Sequence, residues 1–234
     1  MTAPNAVPLR AVLFDAGNTL LFLDHARLAA AVGPLVGLPL TAAGLAAGSA
    51  AAARAMEQSR AGDRERAAAY LEALFLAAGV PASRLPDVRD TLSRLHGQHH
   101  LWSGIAADTH DALARLRAAG LRLGVVSNSD GRVEEALEAA GLRRYFDVVI
   151  DSALVGVEKP DPAIFRTALE VLDVRPEEAL HVGDLYEVDV LGARAAGLAA
   201  VLLMPAGTPG PVRCATVGSL GALADDLLKE RLAS

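Results

Sequence analysis

Cysteine is all but missing from this chain: Cys214 stands alone among 234 residues, so no internal disulfide can form and the fold must rest on a packed core. The N-terminal stretch MTAPNAVPLR lacks the charged-then-apolar order of a secretory leader, and together the two absences predict residence in the cytoplasm. Aromatic residues make up only 4% of the sequence, which gives no case for nucleobase recognition. Lysine is scarce, with Lys159 and Lys229 alone, and no Lys/Arg cluster of the kind that tracks a phosphate backbone occurs in a chain of net charge -6. Nucleic acid is therefore not expected as a partner. Charge is missing altogether between Arg27 and Arg54, a run long enough to cross a bilayer. That run is mostly Ala and Gly and holds Pro34 and Pro39, so its hydrophobicity is weak and its helix should be broken twice; short packed helices are expected, and no membrane span.

What is abundant is core-forming material, 52% hydrophobic residues, ample for one large or two modest domains. RAVLFD, residues 10–15, is an apolar run that ends in an acid and is followed by Gly17, the pattern of a buried strand stopping at a turn. Residues 22–101 change to helical segments such as RERAAAYLEALFLAAG, separated by GVPAS and by prolines. From Asp108 onward, amphipathic helices alternate with the apolar runs LRLGVVS, FDVVID, ALHVGD and LAAVLLM. That alternation predicts an α/β fold, a Rossmann-like open parallel sheet with helices on both faces, plus an inserted all-helical cap domain. The boundaries read as residues 1–21 and 102–234 for the core and 22–101 for the cap. Gly120, Gly141 and Gly197 stand where helices should end, and Asp161-Pro162 where one should begin.

Four polar clusters fall at the predicted strand ends: Asp15-Ala16-Gly17-Asn18-Thr19, Ser127-Asn128, Lys159-Pro160, and Gly183-Asp184 with Asp189 five residues further on. Each alone reads as a cap or a turn. Convergence at one sheet edge, where ligands of open α/β sheets gather, would make them one site.

The order and spacing of these clusters resemble the haloacid dehalogenase superfamily, a group dominated by phosphatases, with FDAGNTLL, VVSN, VGVEKPDPAIF and HVGDLYEVDVLGARAAG carrying the likeness. The helical insertion resembles that family's small cap. The resemblance implies a Mg²⁺-dependent phosphohydrolase working through an aspartyl-phosphate on a small phosphorylated substrate. It implies Asp15 as nucleophile and Mg²⁺ ligand, with the Gly17 carbonyl, Asp184 and Asp189 completing the metal set. Ser127 and Lys159 would contact and neutralise the phosphoryl group, with Asn18, Thr19 and Asn128 helping to bind it. That only two lysines exist and one stands at this family position strengthens the match.

One departure matters. Most phosphatases of the superfamily carry a second Asp two residues after the nucleophile as general acid and base, where this chain has Gly17. Its loss would slow turnover by a factor of about 10²–10⁴ and spare substrates with good leaving groups, such as acyl phosphates. Asp24 or His25, close by in sequence, is the candidate substitute. The rivals are a 2-haloacid dehalogenase-like hydrolase, which the retained Asp184 and Asp189 disfavour, and a catalytically weak phospho-ligand binding protein, which the retained nucleophile disfavours. A phosphonatase would need a cap lysine, and residues 22–101 contain none. That segment holds eight Arg against seven Asp/Glu, which suits an anionic substrate and marks Arg27, Arg54 and Arg60 as candidate contacts. His96, His99 and His100 have poor spacing for zinc and read as a polar hinge. Neither the physiological substrate nor the oligomeric state is written in these motifs.

Overall fold

The computed structural model describes residues 8–58, 63–204 and 214–232. In chain order the elements are β1 (Ala11–Phe14), β2 (Phe22–Leu23), α1 (His25–Val36), α2 (Ala42–Gln58), α3 (Asp63–Ala77), α4 (Leu85–Gln98) and β3 (Trp102–Gly104). There follow α5 (Thr109–Ala118), β4 (Arg122–Ser127), α6 (Val133–Ala139), β5 (Val148–Asp151), α7 (Ser152–Val155), α8 (Pro162–Leu172) and β6 (Ala179–Gly183). A π-type turn over Tyr186–Val190 then leads into α9 (Leu191–Ala195), β7 (Ala199–Leu203), β8 (Ala215–Val217) and α10 (Leu220–Leu232). The chain divides into two compact units, one comprising Leu23–Gly104 and the other the chain up to Phe22 and from Ile105 onward.

The second of these is a Rossmann-like α/β unit built on six parallel strands in the order β5-β4-β1-β6-β7-β8. Every residue of β1 is buried, as a strand covered on both faces must be, and this is why AVLF is apolar without alternation. β1 pairs with β4 on one side and β6 on the other, with Phe14 level with Val125 and Val182. The chain thus leaves β1 for one half of the sheet and returns to build the other, so β1, β4 and β6 end side by side at the point where the strand order reverses. The core packs Leu13, Val126, Ile150, Ile164, Phe165 and Val182 without solvent contact or nearly so. α8 begins as the sequence indicates: Asp161 accepts from Ala163 N at 2.9 Å and Pro162 occupies the first turn. Gly120, Gly141 and Gly197 take φ of +80°, +69° and +91° just beyond α5, α6 and α9, the left-handed geometry that lets each helix turn back.

Two features depart from the sequence reading. β8 carries no apolar run and two of its three residues are exposed, so nothing in its pattern marks a strand; it forms as the edge partner of β7. The helix expected to run through GARAAG instead opens as the π-type turn, which carries Asp189.

The other unit is a cluster of four helices around Leu28, Val32, Leu45, Leu74, Phe75 and Val88. Asp24 caps α1 by accepting from Arg27 N at 3.0 Å. Pro34 does not break α1; it sits in the last turn, and the helix closes at Gly37, φ +69°. Pro39 lies between α1 and α2, where a helix is absent. No helix of the described residues is long and apolar enough to cross a membrane. The Arg27 guanidinium donates to the carbonyls of Leu95, His99 and His100 at 2.6, 3.0 and 3.2 Å, so it closes the C-terminal end of α4 and is engaged by backbone. The side chains of Arg54 and Arg60 lie outside the described residues. His25 Nε2 lies 3.4 Å from Ser49 Oγ within this unit. His96 and His100 lie together, ring centroids 4.6 Å apart, with each Nδ1 close to a backbone N–H, of Leu101 and Trp102 respectively. β2 pairs with β3, and Asp24 N donates to Leu101 O at 3.1 Å, so the unit begins and ends at one place.

Candidate active site

Asp15 follows the last residue of β1 and is fixed by its N–H donating to Val182 O at 2.8 Å. The chain then folds on itself: the N–H groups of Leu20 and Leu21 both donate to Ala16 O, and Asn18 N donates to Leu21 O at 2.7 Å. Asn18 takes a left-handed φ of +54° to make this turn, and its side chain hydrogen-bonds to Asp184. Asp184 follows the last residue of β6, and Ser127 is the last residue of β4. Lys159 lies between α7 and α8 and precedes a cis bond to Pro160.

These ends bring four charged groups together. Lys159 Nζ donates to Asp15 Oδ1 at 2.5 Å and to Asp189 Oδ1 at 2.7 Å, with only 2% of the lysine side chain exposed. Carboxylate oxygens of Asp15, Asp184 and Asp189 lie within 4.8 Å of one another. Burial disfavours charge on all of them, and their neighbours decide the outcome. For Lys159, the charges of Asp15 and Asp189 and their hydrogen bonds outweigh burial, and its pKa lies above that of a free lysine. For Asp189, burial is more than offset by Lys159 and His181, and the acid is held below the usual carboxylate range. Asp15 is pushed up to about 7 by burial, with Lys159 pulling down and Asp189 pushing up. Asp184 is raised well above the usual value by burial and by the charges of Asp15 and Asp189.

One ammonium thus faces three carboxylates, and it is shared between Asp15 and Asp189. The excess negative charge falls on Asp15 and Asp184, two hard oxygen donors from adjacent strands. That donor set fits a divalent cation of the magnesium type, which takes few carboxylates and no nitrogen or sulfur.

The remaining residues of the sequence reading divide. Ser127 is 3% exposed, and its hydroxyl donates at 3.4 Å to the Asn128 carbonyl. Thr19 is 1% exposed and its hydroxyl has no partner among the described residues. Gly17 pairs with Leu21 in an isolated bridge across the loop. Asn128, read from the sequence as a phosphoryl contact, uses its side chain on the backbone: Nδ2 donates to Lys159 O at 3.0 Å and Oδ1 accepts from Lys159 N at 2.7 Å. It is the clamp that holds the lysine's segment against the end of β4.

Two buried polar residues escaped the sequence reading. Asp151, at the end of β5, accepts from the backbone N–H groups of Gly131, Val133 and Ala153 at 3.0–3.2 Å, and so ties down the loop that follows Ser127. Its signal was an acid closing an apolar run, the same pattern that marks Asp15. His181, in the middle of β6, is fully buried and lies 3.0 Å through Nε2 from Asp189 Oδ1. A histidine inside an otherwise apolar strand, eight residues before an acid, was the available sign.

Comparison with known proteins agrees with this geometry. Residues 9–197 match the family model of haloacid dehalogenase-like hydrolases. The mouse haloacid dehalogenase-like hydrolase domain-containing protein 3 is 42% identical over 130 residues, 55% of this chain and 51% of the relative. A phosphoserine phosphatase of Thermus thermophilus is 40% identical over 139 residues, 59% of this chain and 53% of the relative. The chain therefore spans about half the length of these curated relatives. Among solved structures, a HAD phosphatase from Thermococcus onnurineus superposes with a TM-score of 0.60 at 26% identity, over 94% of this chain and 98% of the other. With its motifs, strands β1, β4, β5 and β6 of its parallel sheet and its clustered acids inside the matched region, the chain belongs to the haloacid dehalogenase-like hydrolases.

Proposed function

We propose that this protein is a Mg²⁺-dependent phosphohydrolase that transfers a phosphoryl group from a small phosphorylated metabolite to Asp15 and then to water. The observation that carries the reading is the sharing of the Lys159 ammonium between Asp15 and Asp189 inside a trio of buried acids. The Thermus relative, named a phosphoserine phosphatase, supports attack at phosphorus over displacement of halide at carbon.

In this reading Asp15 attacks phosphorus with a carboxylate oxygen, the bond from phosphorus to the leaving oxygen breaks, and that oxygen takes a proton from solvent. Water then attacks phosphorus, the bond to Asp15 breaks, and inorganic phosphate leaves. Lys159 limits the repulsion between the carboxylate and the incoming anion, and Ser127 and Thr19 offer hydroxyls to the phosphoryl oxygens. The unpartnered Thr19 hydroxyl favours that assignment, because a buried hydroxyl without a partner costs about 1–3 kcal/mol until one is supplied. Mg²⁺ held by Asp15, Asp184 and the Gly17 carbonyl, with Asp189 as the further acid of the set, would offset charge on the phosphoryl group. Asp189 holds Lys159 in place. The helical unit, Leu23–Gly104, is the cap in this scheme and the source of substrate selection.

Gly17 offers no side chain to protonate the leaving group. Within its own unit, Asp24 is engaged in capping α1. Substrates whose leaving group needs no proton are therefore favoured. The test is phosphate release from acetyl phosphate and p-nitrophenyl phosphate, with Mg²⁺ or with EDTA, using Asp15→Asn as the blank. Release that requires both Asp15 and Mg²⁺ is the expected result. No Asp15-dependent release from either substrate would leave a binding protein, and metal-independent halide release from a 2-haloacid would leave a dehalogenase.

A further inference from the structure

The proposed chemistry accounts for Asp15, Lys159, Asp184 and Asp189, yet the chain of contacts does not stop there. His181 lies in the middle of β6, level with Leu13 of β1 and Ala200 of β7, and none of its surface meets solvent. The edge of its ring packs against Phe165, centroids 4.9 Å apart at 83°. An imidazole in such a place costs more than the leucine or valine that neighbouring strand positions carry, unless it forms a bond that an apolar residue cannot. It forms one: Nε2 lies 3.0 Å from Asp189 Oδ1, the same oxygen that accepts Lys159 Nζ at 2.7 Å.

Asp189 is held from three directions. His181 and Lys159 donate to Oδ1, and the Leu185 N–H donates to Oδ2 at 3.0 Å. Gly183 opens the space for it, since a Cβ there would fall 2.2 Å from Asp189 Cγ. A carboxylate only accepts, so Nε2 carries the hydrogen. The result is an unbroken line from His181 Nε2 to Asp189 Oδ1, to Lys159 Nζ, to Asp15 Oδ1.

We propose that His181 is a positioning residue for the reaction: as a donor to Asp189 Oδ1, it takes part of that oxygen's demand for hydrogen bonds and so leaves the Lys159 ammonium shared with Asp15. An apolar residue would leave Asp189 Oδ1 with Lys159 as its one side-chain donor, and the ammonium would move towards Asp189 and away from the nucleophile. The kinetic consequence rests on the phosphohydrolase reading; the geometric consequence for Lys159 does not.

The test uses three variants of the full chain, His181→Leu, His181→Gln and His181→Asn. The amide nitrogen of glutamine reaches the place of Nε2, and that of asparagine reaches only the place of Nδ1. With only two lysines in the chain, protein labelled with ¹⁵N-lysine gives one ammonium signal for buried Lys159 and one for exposed Lys229, and the spectrum is read without Mg²⁺ or substrate. His181→Leu and His181→Asn are expected to shift or broaden the Lys159 signal and to lower kcat for acetyl phosphate about tenfold with KM within about twofold, in line with the loss of one charge-assisted bond. His181→Gln is expected to restore both. If the Leu variant does not fold, the contrast between Gln and Asn decides. A Lys159 signal that is the same in wild type, Gln and Asn, or Gln and Asn variants of equal kcat, would overturn the proposal. Should no form of the protein release phosphate, the lysine spectrum still decides the positioning role, while the reading of the activity fails separately.

Discussion

Replacing Lys159 by Met keeps the length and most of the bulk of the side chain and removes only its charge. Asp15 and Asp189 then lose the ammonium that bonds them at 2.5 and 2.7 Å. Removing one partner of a buried ion pair costs about 3–5 kcal/mol, because the other partner stays buried and uncompensated. For a chain of this size each kcal/mol moves Tm by about 2–4 °C, so a fall of roughly 6–20 °C is expected. The deficit depends on pH, and its sign follows from Asp189, whose folded pKa lies below the usual range because of Lys159 and His181. Such an acid contributes stability above the pKa of the unfolded residue, about 3.9, and loses it as the pH falls through the lower folded value. Without Lys159 that contribution shrinks, and the unpaired acids escape their cost by taking up protons. The gap between wild type and variant is therefore widest near neutral pH and narrows towards about pH 4. Lys229→Met is the control, since its side chain is 75% exposed and its ion pair with Asp226 is a loose 3.9 Å; its Tm should stay within about a degree. Thermal melts in EDTA, at neutral pH and near pH 5, measure both quantities. A Lys159→Met protein that melts with the wild type at neutral pH, or whose deficit grows as the solution is acidified, would refute the charge argument.

Other expectations follow from single contacts. Gly183→Ala would put a methyl group 2.2 Å from Asp189 Cγ and 2.4 Å from its Oδ2, so the acid must leave its place. Activity should fall at least about tenfold, at a stability cost of about 1–3 kcal/mol, as read by kinetics and melts together. Asn128→Ala removes both bonds to the Lys159 backbone and leaves a buried N–H and C=O to find new partners. A loss of about 1–3 kcal/mol is expected, with Asn128→Asp in between because it keeps the acceptor and loses the donor; denaturant titration ranks the three proteins. Unchanged stability in Asn128→Ala would show that the clamp does not fasten the lysine's segment.

Most of the α/β unit is legible because its strands are short, mainly apolar runs ended by polar residues, so their succession along the chain, the start of α8 and the glycines beyond α5, α6 and α9 can be read directly from the pattern. β8 is not legible. Ala215-Thr216-Val217 has no periodicity of its own, and its strand character comes from pairing with β7, which is a property of the tertiary fold. The π-type turn is hidden for a related reason: nothing in YEVDV marks a change of helical pitch, and what distinguishes it is where Asp189 lies. Pro34 misleads because it forgoes only its own backbone bond, and α1 continues two residues beyond it before closing at Gly37. That Asp15, Ser127 and Asp184 stand at neighbouring strand ends can be anticipated, since β1, β4 and β6 are neighbours at the switch in strand order; Lys159, expected at a strand end, instead stands in the loop between α7 and α8. The uses of Asn128, Asp151 and His181 cannot. Each bonds a group brought near by folding, and a side chain that grips another segment's backbone looks in sequence like one that grips a ligand.

The way Arg27 grips three carbonyls at the far end of α4 has a consequence for how the chain can assemble and diversify. Because residues 24–27 and 95–101 are fastened to each other, the excursion over residues 28–94 between them closes its own loop, and the sheet does not bear the entropy of holding those ends together. An insert sealed at its base behaves as a cassette. Its interior can be exchanged, lengthened or repacked while the parent sheet sees the same two neighbouring attachment points, and a hybrid that keeps Asp24, Arg27 and the 95–101 carbonyls should accept a foreign helical bundle more readily than one cut anywhere else.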